Sequence, residues 1–256
     1  MIISNQEGPI VTITINRPEV RNALNQELIL KLTEIIHGWS AKKDVRIVVI
    51  TGSGDRAFVA GADVHGFLTL DPETAESHIT TMHLCDLAIR QSEKIVIASI
   101  NGYCFGSGLE LAASCDLRIA SDRAKFGMPE VKVGVPSVIE AAYLPRLIGL
   151  GRAAYLVYTG EAIDAFEAER IGLVNRVVPH EKLKEETKQL AEKILANGPT
   201  SIVLQKKLIA QWMDLSLSDS VVAGIKSFRA CFETDEPKEG AKALLEKRKP
   251  PFRNYR

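Results

Sequence analysis

The sequence lacks the features that mark several common classes of protein. Lysine plus arginine and aspartate plus glutamate both total 32, so the formal net charge is zero and does not favour nucleic acid or an anionic membrane. No run of about eighteen apolar residues occurs, and the N-terminus has no basic region followed by an apolar core. We therefore expect a cytoplasmic protein that binds neither nucleic acid nor membrane.

Motifs for metals, disulfides and nucleotides are also missing. The four cysteines show no CxxC pairing and no spacing to histidine typical of metal sites, which predicts reduced, mostly buried thiols and no metal. Gly106 and Gly108 begin a GxGxxG-like pattern, but Leu111 stands where the third glycine belongs. No GxxxxGK[ST] sequence occurs either, so nucleotide-binding folds of these two kinds are disfavoured.

What the chain does have is enough apolar material for a full core. It contains 256 residues, of which 46% are hydrophobic. Strand-like and helix-like patterns alternate to about residue 196, and only helical patterns follow. We predict an α/β core over 1–196 and a helical region over 197–256 that packs on the core or on neighbouring subunits.

The local patterns predict individual elements. Strands are expected at 11–15, 45–50, 95–100, 117–120 and 173–178, where short apolar runs are rich in β-branched residues. Asn25 is expected to cap a helix with one apolar face, and further helices are expected at 74–90, 137–147 and 151–159. Four more are expected after residue 180, ending near residues 195, 213, 232 and 249.

The segment 94–136 is the strongest candidate for chemistry. A buried strand is followed by a glycine-rich turn and then by the start of a helix, where unpaired backbone amides can stabilise an anion. Glu110 lies in the first turn of that helix, and Glu130 follows a second short strand and a turn. Each glutamate alone is also typical of an ordinary surface position, whereas two acids beside free amides indicate acid/base chemistry.

Several segments together resemble the crotonase, or enoyl-CoA hydratase/isomerase, superfamily. They are AFVAGADV (57–64), NGYCFGSGLELAASCDLRIAS (101–121), FGMPEVKVG (126–134) and NRPEVRNAL (16–24), with further likeness at 159–179 and at the C-terminus. The resemblance implies a spiral of ββα units with a C-terminal helical trimerisation region. It also implies an acyl-CoA thioester as substrate, a homotrimer or a hexamer of two trimers, and no cofactor beyond the coenzyme A of the substrate.

The resemblance also implies roles for particular residues. The backbone amides of Ala62 and Ser107 would form an oxyanion hole, Glu110 would deprotonate the attacking water, and Glu130 would protonate the α-carbon. Presence of both acids favours hydration over isomerisation, because adding water needs one group to take a proton and one to give it. The substrate-binding positions implied are Arg21, Ala60, Asp63, Val64 and His65.

One segment departs from the family pattern. Many hydratases have a glycine-rich start such as IPGAGGTQRL where this chain has VPSVIEAAYLPRL, so a differently shaped acyl pocket is expected. Glu140 in that segment is either a third functional acid or a salt-bridge partner, and the second reading is favoured. Alternatives to hydration are a Δ3-Δ2 enoyl-CoA isomerase, another acyl-CoA lyase, and an RNA-binding relative with vestigial catalysis, which the neutral charge disfavours.

Overall fold

A computed structural model describes residues 1–255. Within them, ten strands form a six-stranded and a four-stranded sheet. The strands are β1 (Ile2–Glu7), β2 (Ile10–Ile15), β3 (Ile47–Gly52), β4 (Ala57–Val59), β5 (Ile95–Ile100), β6 (Tyr103–Phe105), β7 (Leu117–Ser121), β8 (Lys125–Gly127), β9 (Ile163–Asp164) and β10 (Arg176–Val178).

The helices are α1 (Gln26–Ser40), α2 (Pro72–Gln91), α3 (Ser107–Ser114), α4 (Leu144–Ile148), α5 (Leu150–Thr159), α6 (Ala165–Arg170), α7 (Leu183–Leu195), α8 (Pro199–Trp212), α9 (Leu217–Cys231) and α10 (Glu236–Leu245). Short 3-10 helices lie at Pro18–Val20, Val64–Thr69, Glu130–Val133, Ile139–Tyr143, His180–Lys182 and Phe252–Asn254. None of the helices in residues 1–255 is long and apolar enough to cross a membrane.

The two sheets are built from successive strand pairs. The larger sheet has the order β1-β2-β3-β5-β7-β10 and is parallel except for β1, while the smaller has the order β4-β6-β8-β9 and is parallel except for β9. The pairs β3 with β4, β5 with β6 and β7 with β8 each place one strand in each sheet, and α2 and α3 follow the first two pairs. This arrangement is the α/β spiral of ββα units that the family resemblance implied.

The larger sheet is buried on both faces, which explains its nearly continuous apolar strands. In β3, Val48 and Ile50 point into the main core that lies between the sheets and the helices, where Leu28 and Leu32 of α1 also lie. Successive side chains alternate in direction along a strand. Ile47 and Val49 therefore face the other side, where they pack with Leu183, Ala191 and Leu195 of α7.

Elements with clear periodicity lie close to their predicted positions. The side chain of Asn25 caps α1 by accepting a hydrogen bond from the Leu28 amide at 2.9 Å, as expected. The three-residue strands β4, β6 and β8 lie outside the segments predicted as strands, because three residues are too few to show an alternating pattern. The strand β1 was also missed, since most of its residues are exposed.

The prediction of one continuous helix over 137–147 is wrong. The chain there forms the 3-10 helix Ile139–Tyr143 and then the short α4. Ile139 has a φ of 39°, a left-handed conformation that no helix of L-residues continues through. The break at this residue redirects the chain toward the start of α3, where the candidate site lies.

The C-terminal helices are attached to the core by buried polar contacts. The Lys206 ammonium of α8 lies 2.8 Å from Asp116 Oδ2 and donates to the Lys94 carbonyl at 2.8 Å. Glu236 at the start of α10 accepts hydrogen bonds from the amides of Thr200 and Ser201 in the first turn of α8. The division into 1–196 and 197–256 stays a prediction, and its last residue, Arg256, lies outside the described residues.

Candidate active site

A cavity of about 700 Å³ brings most of the predicted site residues together. Its wall is largely apolar, with contributions from α2, the start of α3 and the segments 60–70 and 129–138. The predicted residues that line it are Ala60, Ala62, Val64, Ser107, Glu110 and Glu130. Segments more than 60 residues apart in sequence therefore meet at one pocket with few polar groups, as is typical of small-molecule sites.

The backbone around Ala62 is held by an isolated parallel bridge to Leu24. The Leu24 amide donates to the Gly61 carbonyl at 2.9 Å, and the Asp63 amide donates to the Leu24 carbonyl at 2.8 Å. Alternate amides of an extended segment point to opposite sides. Within residues 1–255 the Ala62 amide has no hydrogen-bond acceptor, and Ala62 lines the cavity.

The Ser107 amide is the first of α3, so it has no partner inside the helix. Gly106, which precedes it, has a φ of 52°, and a Cβ there would lie 2.5 Å from Glu130 Oε1 and 3.9 Å from Gly61 Cα. A Cβ on Gly108 would lie 2.2 Å from the Val59 carbonyl oxygen, so only glycine lets α3 approach β4 this closely. The backbone segments that precede Ala62 and Ser107 therefore lie close together beside the cavity.

Glu110 is the most strongly perturbed acid of the cavity. Its side chain is buried, and Oε1 accepts a hydrogen bond from the Ala141 amide at 3.2 Å. Burial raises the pKa of Glu110 to about 8, with further increases from the charges of Glu130 and Glu140 and a partial decrease from the Ala141 amide. Glu110 therefore carries a proton in most molecules of the free protein at pH 7.

Glu130 is half-buried at the start of the 3-10 helix Glu130–Val133. Its Oε2 accepts a hydrogen bond from the Ser137 hydroxyl at 2.8 Å, and its Oε1 lies against Gly106. The repulsion between Glu130 and Glu110 shows that the two carboxyl groups share one electrostatic environment. Such a pair can hold one proton between two positions in the same pocket, which is the requirement for acid/base chemistry at adjacent atoms.

The remaining predicted residues lie outside this cavity. Asp63 and His65 line a neighbouring pocket of about 380 Å³, where the His65 Nδ1 is 2.9 Å from Asp63 Oδ1 and Asp63 also pairs with Arg17 at 3.3 Å. Arg21 lines a third pocket of about 310 Å³, with its guanidinium 5.8 Å from the ring centre of Tyr103. The roles assigned to Arg21, Asp63 and His65 stay predictions.

Sequence reasoning missed two features of the site. The Ala141 amide reaches Glu110 only because of the turn at Ile139, and an amide leaves no signal in a sequence. The basic residues around Arg21 are spread over several segments and meet only in the fold; they are Arg56, Arg123 and Lys125. Across residues 1–255 no group of three or more His, Cys, Asp or Glu side chains is arranged to hold a metal ion.

Comparisons with known proteins agree with this geometry. The sequence model of the family described as Enoyl-CoA hydratase/isomerase matches residues 5–255. The chain is 40% identical to a crotonyl-CoA hydratase of Syntrophomonas wolfei over 98% of this chain and 97% of the relative. It is 36% identical to a short-chain-enoyl-CoA hydratase of Clostridium acetobutylicum over 97% of this chain and 95% of the relative.

A solved structure shows the same fold. The enoyl-CoA hydratase of Bacillus anthracis superposes with a TM-score of 0.93 at 34% sequence identity, covering 97% of each chain. The matches span nearly the whole sequence, including every segment that lines the cavity. The chain belongs to the enoyl-CoA hydratase/isomerase family.

Proposed function

We propose that this enoyl-CoA hydratase adds water reversibly across the 2,3 double bond of a 2-enoyl-CoA thioester with Glu110 and Glu130 as its acid/base pair. The observation that carries the proposal is that both carboxyl groups and the free amides of Ala62 and Ser107 line one apolar cavity. Water addition at a conjugated thioester creates negative charge on the carbonyl oxygen and moves one proton at each end of the double bond. In this proposal the two amides stabilise the negative charge, and each of the two carboxyl groups moves one of the two protons.

The amides of Ala62 and Ser107 bind the thioester oxygen. As water attacks the β-carbon, the thioester becomes enolate-like and its oxygen gains negative charge. Two preorganised N–H donors in a largely apolar pocket stabilise that charge, and loss of one such donor typically costs about 3 to 4 kcal/mol. The positive end of α3 adds to this effect, because Ser107 is its first residue.

Glu110 and Glu130 work as a pair that holds one proton. For hydration Glu110 is ionised and takes a proton from water, while Glu130 is protonated and gives its proton to the α-carbon. For dehydration the proton starts on Glu110, which is the arrangement favoured in the free protein because burial raises the pKa of Glu110 to about 8. The two arrangements contain the same number of protons, so both are forms of one singly protonated pair.

The pockets suggest how the rest of the substrate binds. The apolar wall of the main cavity suits an unsubstituted acyl chain, and the two relatives named above act on crotonyl-CoA and short-chain enoyl-CoA by their names. The third pocket combines Arg21, Arg56, Arg123 and Lys125 with a single acid, Asp55, and this local positive charge suits the phosphates of coenzyme A. The mechanism uses no cofactor beyond the coenzyme A of the substrate.

The outer face of α9 supports assembly with further copies of the chain. Five apolar side chains, spaced three or four residues apart, are more than half exposed on this helix and its C-cap; they are Leu217, Val221, Ile225, Phe228 and the C-cap Phe232. A continuous apolar stripe of this kind is typical of a covered helix face. We infer a homotrimer, or a hexamer of two trimers, and Ile225→Lys is expected to release smaller species in light scattering coupled to size-exclusion chromatography.

Replacing each acid by its amide tests the proposed chemistry. Glu110→Gln and Glu130→Gln each keep the shape of the side chain but cannot exchange the proton, so kcat for crotonyl-CoA hydration is expected to fall about a hundred- to ten-thousand-fold. Glu236→Gln is the matched control, because this buried glutamate caps α8 away from the cavity. Near-wild-type hydration by Glu110→Gln would refute its role, and a shifted double bond without added water would favour an isomerase.

A further inference from the structure

Glu140 is a buried acid that the mechanism above does not use. Its side chain is 2% exposed, and it does not belong to the lining of the main cavity. Its Oε1 lies 2.9 Å from Nδ1 of His83 and 4.0 Å from a terminal nitrogen of Arg90, both on α2. Because the carboxylate cannot reach a ligand in the cavity, any effect of Glu140 on catalysis passes through another residue.

Asp86 completes the surroundings of Glu140. It is buried on the same helix, and burial, followed by the charges of Glu140 and Glu110 and a hydrogen bond to Glu140, raises its pKa well above the usual range. A carboxyl group that stays protonated can donate to a carboxylate. Oε2 of Glu140 is buried and has no N–H or hydroxyl donor within residues 1–255, which leaves it as an acceptor for a protonated neighbouring carboxyl group such as that of Asp86.

Glu140 lies in the turn that supplies a hydrogen bond to Glu110. The preceding residue, Ile139, has a φ of 39°, which strongly disfavours a β-branched side chain. One residue after Glu140, the amide of Ala141 is shared between the Val138 carbonyl at 2.9 Å and Glu110 Oε1 at 3.2 Å. A strained backbone conformation persists only where the surrounding structure stabilises it. The contacts of Glu140 with His83 and Arg90 of α2 connect this turn to that helix.

We propose that Glu140 is a positioning residue for Glu110: held by His83, Arg90 and Asp86 of α2, it fixes the strained turn whose Ala141 amide binds the catalytic carboxyl group. The inference rests on the acid/base role proposed for Glu110.

The charge of Glu140 also affects Glu110 directly, by raising the pKa of its carboxyl group. It is one of the causes that raise the pKa of Glu110, together with burial and the charge of Glu130. The groups that face Glu140 are His83, Asp86 and Arg90 from α2 and Glu110 from α3, while Tyr143 of its own turn packs 4.2 Å from the Arg90 guanidinium. Removing the charge of Glu140 therefore lowers the pKa of Glu110 and favours its ionised form.

Two substitutions separate the charge of Glu140 from its anchoring contacts. Glu140→Gln keeps the size and hydrogen-bonding capacity of the side chain but removes the charge. Glu140→Leu also removes the contacts that hold the turn. Hydration of crotonyl-CoA is measured from pH 6 to pH 10 for both variants, for Glu110→Gln and for the matched buried control Glu236→Gln, with folding checked by circular dichroism.

For Glu140→Gln, we expect the alkaline decrease of kcat/KM to move to lower pH than in the wild type and in Glu236→Gln. For Glu140→Leu, we expect kcat to fall about tenfold or more while KM changes less than about threefold, because a displaced catalytic group affects the transition state more than substrate binding. If Glu140→Leu does not fold, His83→Phe, which removes one partner of Glu140, is measured in its place, and the same fall of kcat with nearly unchanged KM is expected.

A merely structural glutamate would change folding stability but would not lower kcat at nearly constant KM. If folded Glu140→Leu has the wild-type kcat, Glu140 does not position Glu110 and the inference is overturned. A wild-type pH profile of Glu140→Gln refutes the charge effect of Glu140 on Glu110. If Glu110→Gln itself retains activity, the proposed acid/base mechanism fails instead. Loss of activity in Glu110→Gln combined with wild-type behaviour of both Glu140 variants refutes only the positioning role.

Discussion

Replacing Gly106 by alanine perturbs the acid/base pair while both glutamates stay in the sequence. An added Cβ would lie 2.5 Å from Glu130 Oε1, whereas ordinary contacts begin at 3.4 Å, so the carboxylate must move by about 0.9 Å. Displacement of a catalytic group by about 1 Å can cost about a hundredfold in rate. We therefore expect Gly106→Ala to lower kcat for hydration about a hundredfold.

The same substitution also strains the backbone, and a control is needed to separate the two effects. Gly106 has φ 52° and ψ −124°, a region nearly restricted to glycine, so alanine is expected to cost about 1 to 3 kcal/mol of folding stability. Gly8→Ala is the control for backbone strain. Gly8 has a φ of 60°, so alanine strains the backbone there too, but an added Cβ meets no atom within 4 Å.

The assay is the loss of enoyl-thioester absorbance, with stability measured by urea unfolding. Both variants are expected to lose stability, and only Gly106→Ala is expected to lose kcat. A folded Gly106→Ala enzyme with near-wild-type kcat would mean that the position of Glu130 beside Gly106 does not matter for the reaction, and the proposed pair would be wrong.

Three further predictions concern the oxyanion hole, the shared proton and the docking of α8. Ser107→Ala is expected to keep most activity because the donor is the amide, whereas a folded Ser107→Pro is expected to lose about a hundredfold or more; a collapse in Ser107→Ala would implicate the hydroxyl. Since burial raises the pKa of Glu110 to about 8, kcat/KM is expected to fall above about pH 8 as the pair loses its proton. A kcat/KM for hydration that stays constant up to pH 10 would contradict the shared-proton mechanism. Lys206→Met is expected to destabilise the fold by about 1.5 to 3 kcal/mol in urea unfolding, because it leaves the half-buried Asp116 carboxylate with only the Val96 amide as donor; a loss below about 0.5 kcal/mol would show that the pair does not anchor α8.

The parts of the fold that the sequence predicted are those with a strong local pattern. The apolar run that contains β3 and the Asn25-capped face of α1 are both recognisable within about fifteen residues. The three-residue strands of the small sheet carry no such pattern and are formed by pairing with strands from distant segments. Pairing of this kind depends on the whole spiral, so a local reading did not assign those segments to strands.

The candidate site was likewise predicted only where the sequence carries a recognisable motif. The glutamates and the oxyanion segments were identified because they lie in motifs of the family, and the structure brings them to one cavity. The arrangement around Glu140 was beyond sequence reasoning, because His83 lies 57 residues away and the left-handed Ile139 violates the preference of its own side chain. Such a conflict between the preference of a side chain and its observed backbone conformation indicates that tertiary contacts hold that position, as is common at functional sites.

The central claim, that this enzyme adds water to an enoyl-CoA thioester, is tested most directly by mass spectrometry of the product formed in heavy-oxygen water. With crotonyl-CoA as substrate, the account predicts a 3-hydroxyacyl-CoA product that carries one heavy oxygen atom in its hydroxyl group, formed by the wild type and not by Glu110→Gln. A product with a moved double bond and no heavy oxygen, or no turnover of any enoyl-CoA chain length by the folded protein, would contradict it.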